Sequence, residues 1–223
     1  MKIKTGKNIG YTLSASVILM FIGVFTTSVL ISILSPFDFG IIAIATSLTI
    51  ILKNIDSSGI DTAILQKGKN GINQLILSNG FTLKFVISIL LFSASYFFSP
   101  YWSSIYEEPL LIPLIRFLAI IFVLNSFSLI PDILIRVNLD FKKRSVISVI
   151  RALIRSITVL TFAFSGYGFW SIVYADILAT LFQAIAFNYF YPWKLRIKFD
   201  RKVAVDLLSF SKWLLFANFC FGF

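Results

Sequence analysis

The chain is 223 residues long, 58% hydrophobic and only 13% charged, with a mean hydropathy of +0.90 and a formal net charge of +10. A soluble domain carries about 25% charged residues, and a water-soluble fold of this size has no interior able to hide so much apolar surface. With no His and a single Cys, Cys220, the sequence excludes His-based acid–base chemistry, a Ser/His/Asp triad, a Cys/His nucleophile, a His or multi-Cys metal site and an intrachain disulfide.

Six apolar stretches approach the ~20 residues that cross a hydrocarbon core. They run from Ile9 to Leu34, from Phe39 to Leu65 with a polar end, from Phe81 to Phe98, from Leu110 to Ile135, from Val146 to Phe164 and from Phe169 to Tyr191. A seventh begins near Leu207 and stops at Phe223. Lys2, Lys4 and Lys7 give the first stretch the look of a signal peptide. Its apolar part exceeds the ~7 to 15 residues of a cleavable core, and more spans follow, so it reads as a retained anchor.

The gaps between these stretches alternate in charge. Fifteen of the twenty Lys and Arg fall at Lys2, Lys4 and Lys7, then Lys53, Lys67 and Lys69, then Arg136, Lys142, Lys143 and Arg144, then Lys194, Arg196, Lys198, Arg201 and Lys202. The gaps Ser35 to Asp38, Ser99 to Leu110 and Ser165 to Gly168 contain none. Short translocated loops avoid Lys and Arg, so the basic gaps and the N-terminus are expected in the cytoplasm. The net charge is then a topology signal, and nucleic acid is not an expected partner. Tyr11, Tyr96, Trp102, Tyr106, Trp170, Tyr191 and Trp193 fall at span ends, where interfacial aromatics anchor.

Four cations lie within the stretches: Lys84, Arg116, Arg151 and Arg155. A charge at the centre of a span costs roughly 2.5 to 3.5 kcal/mol on insertion scales, so each needs an interior or watery surrounding. Arg144, Ser148, Arg151 and Arg155 follow i, i+4, i+7, i+11, one helical stripe climbing into the membrane. Arg155 lies some 15 Å beyond Ser145 at about 1.5 Å per residue, deep for snorkelling. Arg151 and Arg155 therefore either line a cationic cavity that receives an anionic headgroup or pair with acids elsewhere. Lys84 sits about one turn into the third stretch, where snorkelling suits it. Arg116 enters from the opposite, uncharged side.

Two further stripes are polar: Asn125, Ser128 and Asp132, and Asp176, Thr180 and Gln183. Helix-to-helix hydrogen bonding accounts for the uncharged members. Asp176, some 10 Å deep at about 1.5 Å per residue, needs a partner or a proton, and Arg116 approaches from the same side, so a charge pair or coupling-cation site is expected there. Pro131 is expected to kink the fourth span beside Asp132. Glu107 and Glu108 form the only adjacent acidic pair and read as a solvated loop; no catalytic residue, metal ligand or cofactor site is expected, and no glycine motif for a nucleotide phosphate is present.

The segments LSPFDFGIIAIATSLTIILKNIDSSGIDTAILQK from Leu34 to Lys67, YEEPLLIPLIRFLAIIFVLNSFSLIPDILIRVNLDFKK from Tyr106 to Lys143, GYGFWSIVYADIL from Gly166 to Leu178 and PWKLRIKFD from Pro192 to Asp200 resemble the oligosaccharide flippases. These are the polysaccharide transporter branch of the exporter superfamily that includes multidrug and toxin extruders. The resemblance implies an all-α polytopic bundle of six transmembrane helices plus the start of a seventh, the N-terminal lobe of a two-lobe flippase. Residues 1–192 would form that lobe, 193–206 a cytoplasmic basic linker and 207–223 the beginning of the seventh helix. It also implies translocation of an undecaprenyl-pyrophosphate-linked oligosaccharide across the inner membrane for O-antigen, capsule or exopolysaccharide synthesis. Arg116, Arg151, Arg155 and Lys84 would contact that substrate, with membrane lipids, a glycan polymerase and assembly proteins as partners. A small-molecule exporter, a membrane glycosyltransferase and an inactive remnant are the competing readings; intramembrane cations that outnumber acids, and loops too short for a catalytic domain, weigh against the first two.

Overall fold

The computed structural model describes residues 2–56, 59–68, 73–194, 196 and 199–209. The described residues form helices α1 (Lys2–Ile33), α2 (Pro36–Asp56), α3 (Ile60–Gly68), α4 (Gln74–Ile105), α5 (Leu111–Ser126), α6 (Leu129–Val137), α7 (Phe141–Phe164) and α8 (Trp170–Phe190), with a further helical run over 201–209. Five of them are individually long and apolar enough to cross a membrane, and α5 with α6 form a pair bent by 44° that brings the number to six when taken as one span. The chain is an all-helical, polytopic membrane bundle.

Sequence chemistry sets the turns at the uncharged end. Ser35 and Asp38 form a capping box around Pro36 at the first helical position: Asp38 N–H donates to Ser35 Oγ, while Ser35 N–H and Oγ donate to Asp38 Oδ2 at 3.0 and 2.7 Å. The other carboxylate oxygen, Oδ1, accepts the backbone N–H of Phe169 at 3.1 Å. One aspartate thus starts α2 and ties it to the α7–α8 turn. That turn requires glycine: Gly166 and Gly168 have φ of 84° and 53°, and a Cβ on Gly168 would sit 3.0 Å from Asp38 Oδ1.

Packing is apolar and concentrated at this same end. Leu30 of α1, Leu34 just after it, Ile41, Ile42 and Ala45 of α2, Leu114 and Leu118 of α5, Val159 and Ala163 of α7 and Val173 and Ala175 of α8 belong to the largest buried cluster among the described residues. Toward the basic end the helices are held in separate groups. Ile60, Ala63 and Ile64 of α3 pack on Phe81 of α4, Ile130 and Ile133 of α6, and Ala204 and Leu207 of the 201–209 run. Ile135 of α6, Ile147 of α7 and Phe187 of α8 make another group.

Several expected boundaries shift. The stretch from Phe39 to Leu65 is not one helix: α2 ends at Asp56, Gly59 takes φ of 73°, and α3 lays its apolar residues against α4 and α6. Gly80 permits that approach, since a Cβ there would lie 2.2 Å from Ile64 Cδ1. α4 extends well past both expected ends, carrying Pro100 inside it. The fourth span breaks at Phe127 and Ser128, about one turn before Pro131 and Asp132, where the kink was expected. Pro131 has no N–H to offer the Phe127 carbonyl, and its ring crowds that group. Asn188 of α8 supplies the missing donor: its Nδ2 donates to Phe127 O at 2.9 Å and to Ala184 O at 2.8 Å. Replacement by a neighbour is how a membrane helix tolerates such a break. Of the expected seventh span, 207–209 are helical and 210–223 lie outside the described residues.

Asn188→Leu is expected to lower the unfolding free energy in detergent by about 1–3 kcal/mol by orphaning a buried carbonyl. In a Pro131→Ala background, where a backbone N–H becomes available to Phe127 O, the same substitution should cost less; equal costs in a thermal-unfolding cycle would remove Asn188 from this role.

Candidate functional site

The three polar stripes face inward and meet. On α7 the exposed apolar residues Val146, Ile150, Leu153 and Ile157 form a lipid-facing stripe, and Arg144, Ser148, Arg151 and Arg155 lie about 160° around the helix from it. On α8 the exposed Leu178, Leu181, Ile185 and Tyr189 face outward, while Asp176, Thr180, Gln183 and Phe187 face in. The arginines are therefore turned away from the acyl-chain side of their helix.

Arg155 Nε donates to Asp176 Oδ1 at 2.5 Å, an ion pair between α7 and α8. Its side chains keep 41% and 25% of their surface exposed, which in hydrocarbon demands water or another polar surface against them. One turn nearer the basic end, Arg151 lies within electrostatic reach of both Asp176 and Arg155. Its Nε is buried with no hydrogen-bond partner among the described residues. Among the described residues, this level of the bundle thus carries two guanidiniums and one carboxylate, which is paired to Arg155. The apolar cluster of the uncharged end closes over it.

Further toward the basic end, Arg144 Nε donates to Asp132 Oδ1 at 2.7 Å, and Arg136 donates to Asp132 Oδ2. Asp132 lines a cavity of about 300 Å³ together with Lys53 of α2, Asp61 of α3, Lys84 of α4, Asn125 and Ser128 at the α5–α6 break, and Gln183 of α8. Along α8 the polar column runs about 10 Å from Asp176 to Gln183 in the cavity wall. At its base, Asp140 caps α7 and accepts from Tyr191 Oη at 2.8 Å and Lys143 Nζ at 2.9 Å. Partial burial pushes the Asp140 carboxyl up, but hydrogen bonds from Lys143 and Tyr191 outweigh it and hold the group below the ordinary carboxylate range.

Not every expected site residue joins the column. Arg116 does not pair with Asp176; it turns to α4, where Nε donates to Ser99 Oγ at 3.0 Å and the guanidinium lies 4.0 Å from the Tyr96 ring centroid. The geometric reason is that Arg116 lies on the α4 side of α5, whereas Arg155 stands directly opposite Asp176 across the α7–α8 contact. Lys84 does not snorkel to the surface; it is only 5% exposed, because α3 and α6 cover the start of α4 and enclose its ammonium beside the cavity. Lys53 and Asp61 are cavity residues that sequence reading passed over, although Gly59 between two apolar runs marks the break that brings Asp61 inward.

A family model described as "Polysaccharide biosynthesis protein" matches residues 29–223. The chain belongs to this family. No curated protein and no solved structure matches it. The family is of the transporter type rather than a known catalytic one, and membership assigns the chain a role in polysaccharide biosynthesis or transport at a membrane.

Asp176→Asn, which strands Arg155 beside Arg151, should destabilise the protein by about 1–3 kcal/mol in thermal unfolding. The double variant Arg155→Met/Asp176→Leu should lose less than either Arg155→Met or Asp176→Leu alone, because replacing both members of a pair avoids leaving a charge unmatched. Additive losses would show that the two side chains are not coupled.

Proposed function

We propose that the chain carries an undecaprenyl-pyrophosphate-linked oligosaccharide from the inner to the outer leaflet of the cytoplasmic membrane, with its N-terminus and basic loops in the cytoplasm. The observation that supports this reading is the excess of guanidinium over carboxylate at Arg151, Arg155 and Asp176, deep in the bundle and turned from the lipid-facing stripe. A diphosphate cannot enter hydrocarbon bare, and Arg offers it planar, charge-assisted hydrogen bonds. The buried cluster at the uncharged end and the polar column open toward the basic end suit a form loaded from the cytoplasm. Arg155 binds while retaining Asp176, which holds its guanidinium in place between loads; Arg116, held by Ser99 and Tyr96, has a supporting place in α4–α5 packing. Residues 193–206 act as the basic linker that follows the six-span lobe, as alternating access by rocking lobes requires.

Binding of a short-chain polyprenyl pyrophosphate to the protein in nanodiscs tests this reading. Arg151→Ala and Arg155→Ala should each weaken it by about 10- to 100-fold, and the Lys variants should recover only part, given the loss of bidentate geometry. Asp176→Asn should tighten binding, since it raises the net positive charge of the site. Wild-type affinity in both Ala variants, or equal binding of the uncharged polyprenol, would refute the assignment.

A further inference from the structure

The cavity at the α5–α6 break is chemically distinct from the level of Arg151 and Arg155 above it. Among the described residues, its walls and the groups behind them carry Lys53, Lys84, Arg136 and Arg144 against Asp61 and Asp132, an excess of positive charge. The Asp132 carboxylate is already occupied by Arg136 and Arg144. Two oxygens in the wall are not occupied: Ser128 Oγ and Asp61 Oδ1 are buried and have no hydrogen-bond partner among the described residues. Ser128 is itself only 6% exposed, and Asn125 and Gln183 add amide groups to the lining. A buried carboxylate oxygen needs a donor, because burial strips its hydration and only a hydrogen bond replaces it. The occupant must therefore combine negative charge, for the cations, with an O–H, for Asp61.

We propose that this cavity binds a phosphate group that carries or adjoins a hydroxyl. Hydrogen phosphate meets every requirement: its P–OH donates to Asp61 Oδ1, and its remaining oxygens accept from Ser128 Oγ and the lysine ammoniums. A hydroxylated phospholipid headgroup offers the same chemistry from the membrane. A metal cation is disfavoured by the surrounding positive charge, and sulfate, fully deprotonated at neutral pH, presents no proton to Asp61. The site's α8 wall, Gln183, lies about 10 Å along that helix from Asp176, and the site stands whether or not the arginine stripe holds a pyrophosphate.

Calorimetry on the full chain in phosphatidylcholine nanodiscs, titrated with inorganic phosphate and with sulfate at neutral pH, tests the proposal. Phosphate should bind, and sulfate should bind at least about tenfold more weakly, because a site built to receive a proton rejects an analogue that lacks it. Asp61→Asn, whose amide donates, should bring sulfate to within about threefold of phosphate, and Ser128→Ala, a change of one oxygen, should weaken phosphate about three- to tenfold. Arg155→Ala should leave the phosphate isotherm unchanged, which separates this site from the stripe. In phosphatidylglycerol nanodiscs, loss of the phosphate signal would assign the occupant to the lipid headgroup, and an unchanged signal to the free anion. Absence of phosphate binding, equal affinity for sulfate in the wild type, or loss of the signal in Arg155→Ala would each overturn the proposal.

Discussion

The ion pair between Arg155 and Asp176 is the constraint around which the rest of the bundle is arranged. A guanidinium and a carboxylate at this depth cannot face acyl chains, so α7 and α8 must present these two faces to one another and their Leu, Ile and Val faces outward. Fixing that rotation also fixes the residues that share each stripe. Arg151 and Arg144 follow Arg155 inward on α7, and Thr180, Gln183 and Phe187 follow Asp176 inward on α8. A polar column through the bundle is the geometric consequence of satisfying one pair.

The column has unlike ends. Beyond Asp176 the helices close on branched and small apolar side chains such as Leu118, Val159 and Ala175, and Asp38 staples the α7–α8 turn to the start of α2. Toward the basic end, the same helices belong to separate packing groups, and the gaps between groups hold charge and amide side chains. Dispersion packing of that quality is hard to open locally, whereas a cavity lined by charged and amide side chains admits water and ions at little cost. Polar access is thereby directed to one side of the bundle.

Much of this was legible in the sequence because membrane burial leaves a strong signature. Apolar stretches near the length of a membrane crossing gave the number and order of spans, and the i, i+4, i+7 spacing of Arg144, Ser148 and Arg151 gave a shared face that the fold preserves. Gly166 and Gly168 lie in the uncharged gap between the fifth and sixth stretches, and both take positive φ in the turn that fills it. Pairing was harder to read. Spacing along one helix does not reveal which face of a neighbour it meets, so Arg116 and Arg155 were both eligible for Asp176, and only the α7–α8 contact decides for Arg155. Burial of Lys84 depends on α3 folding back over α4, a tertiary event that a hydropathy window ending at Leu65 smooths away.

Asn188 extends this logic to the backbone. Pro131 deprives the Phe127 carbonyl of its helical donor, and a carbonyl unpaired among hydrocarbon costs several kcal/mol, so a break in α5–α6 is possible only beside a side chain able to replace that donor. Asn188 sits one turn beyond Gln183 and Ala184 on α8, with Nδ2 reaching both its own helix and the neighbour's free carbonyl. The break then lets α6 leave the axis of α5 by 44°, and this places Ser128 and Asp132 in the cavity wall, with Ser128 Oγ left unpaired. A proline that disrupts one hydrogen bond and an asparagine that repairs it at a distance together convert a plain membrane span into one wall of a polar site.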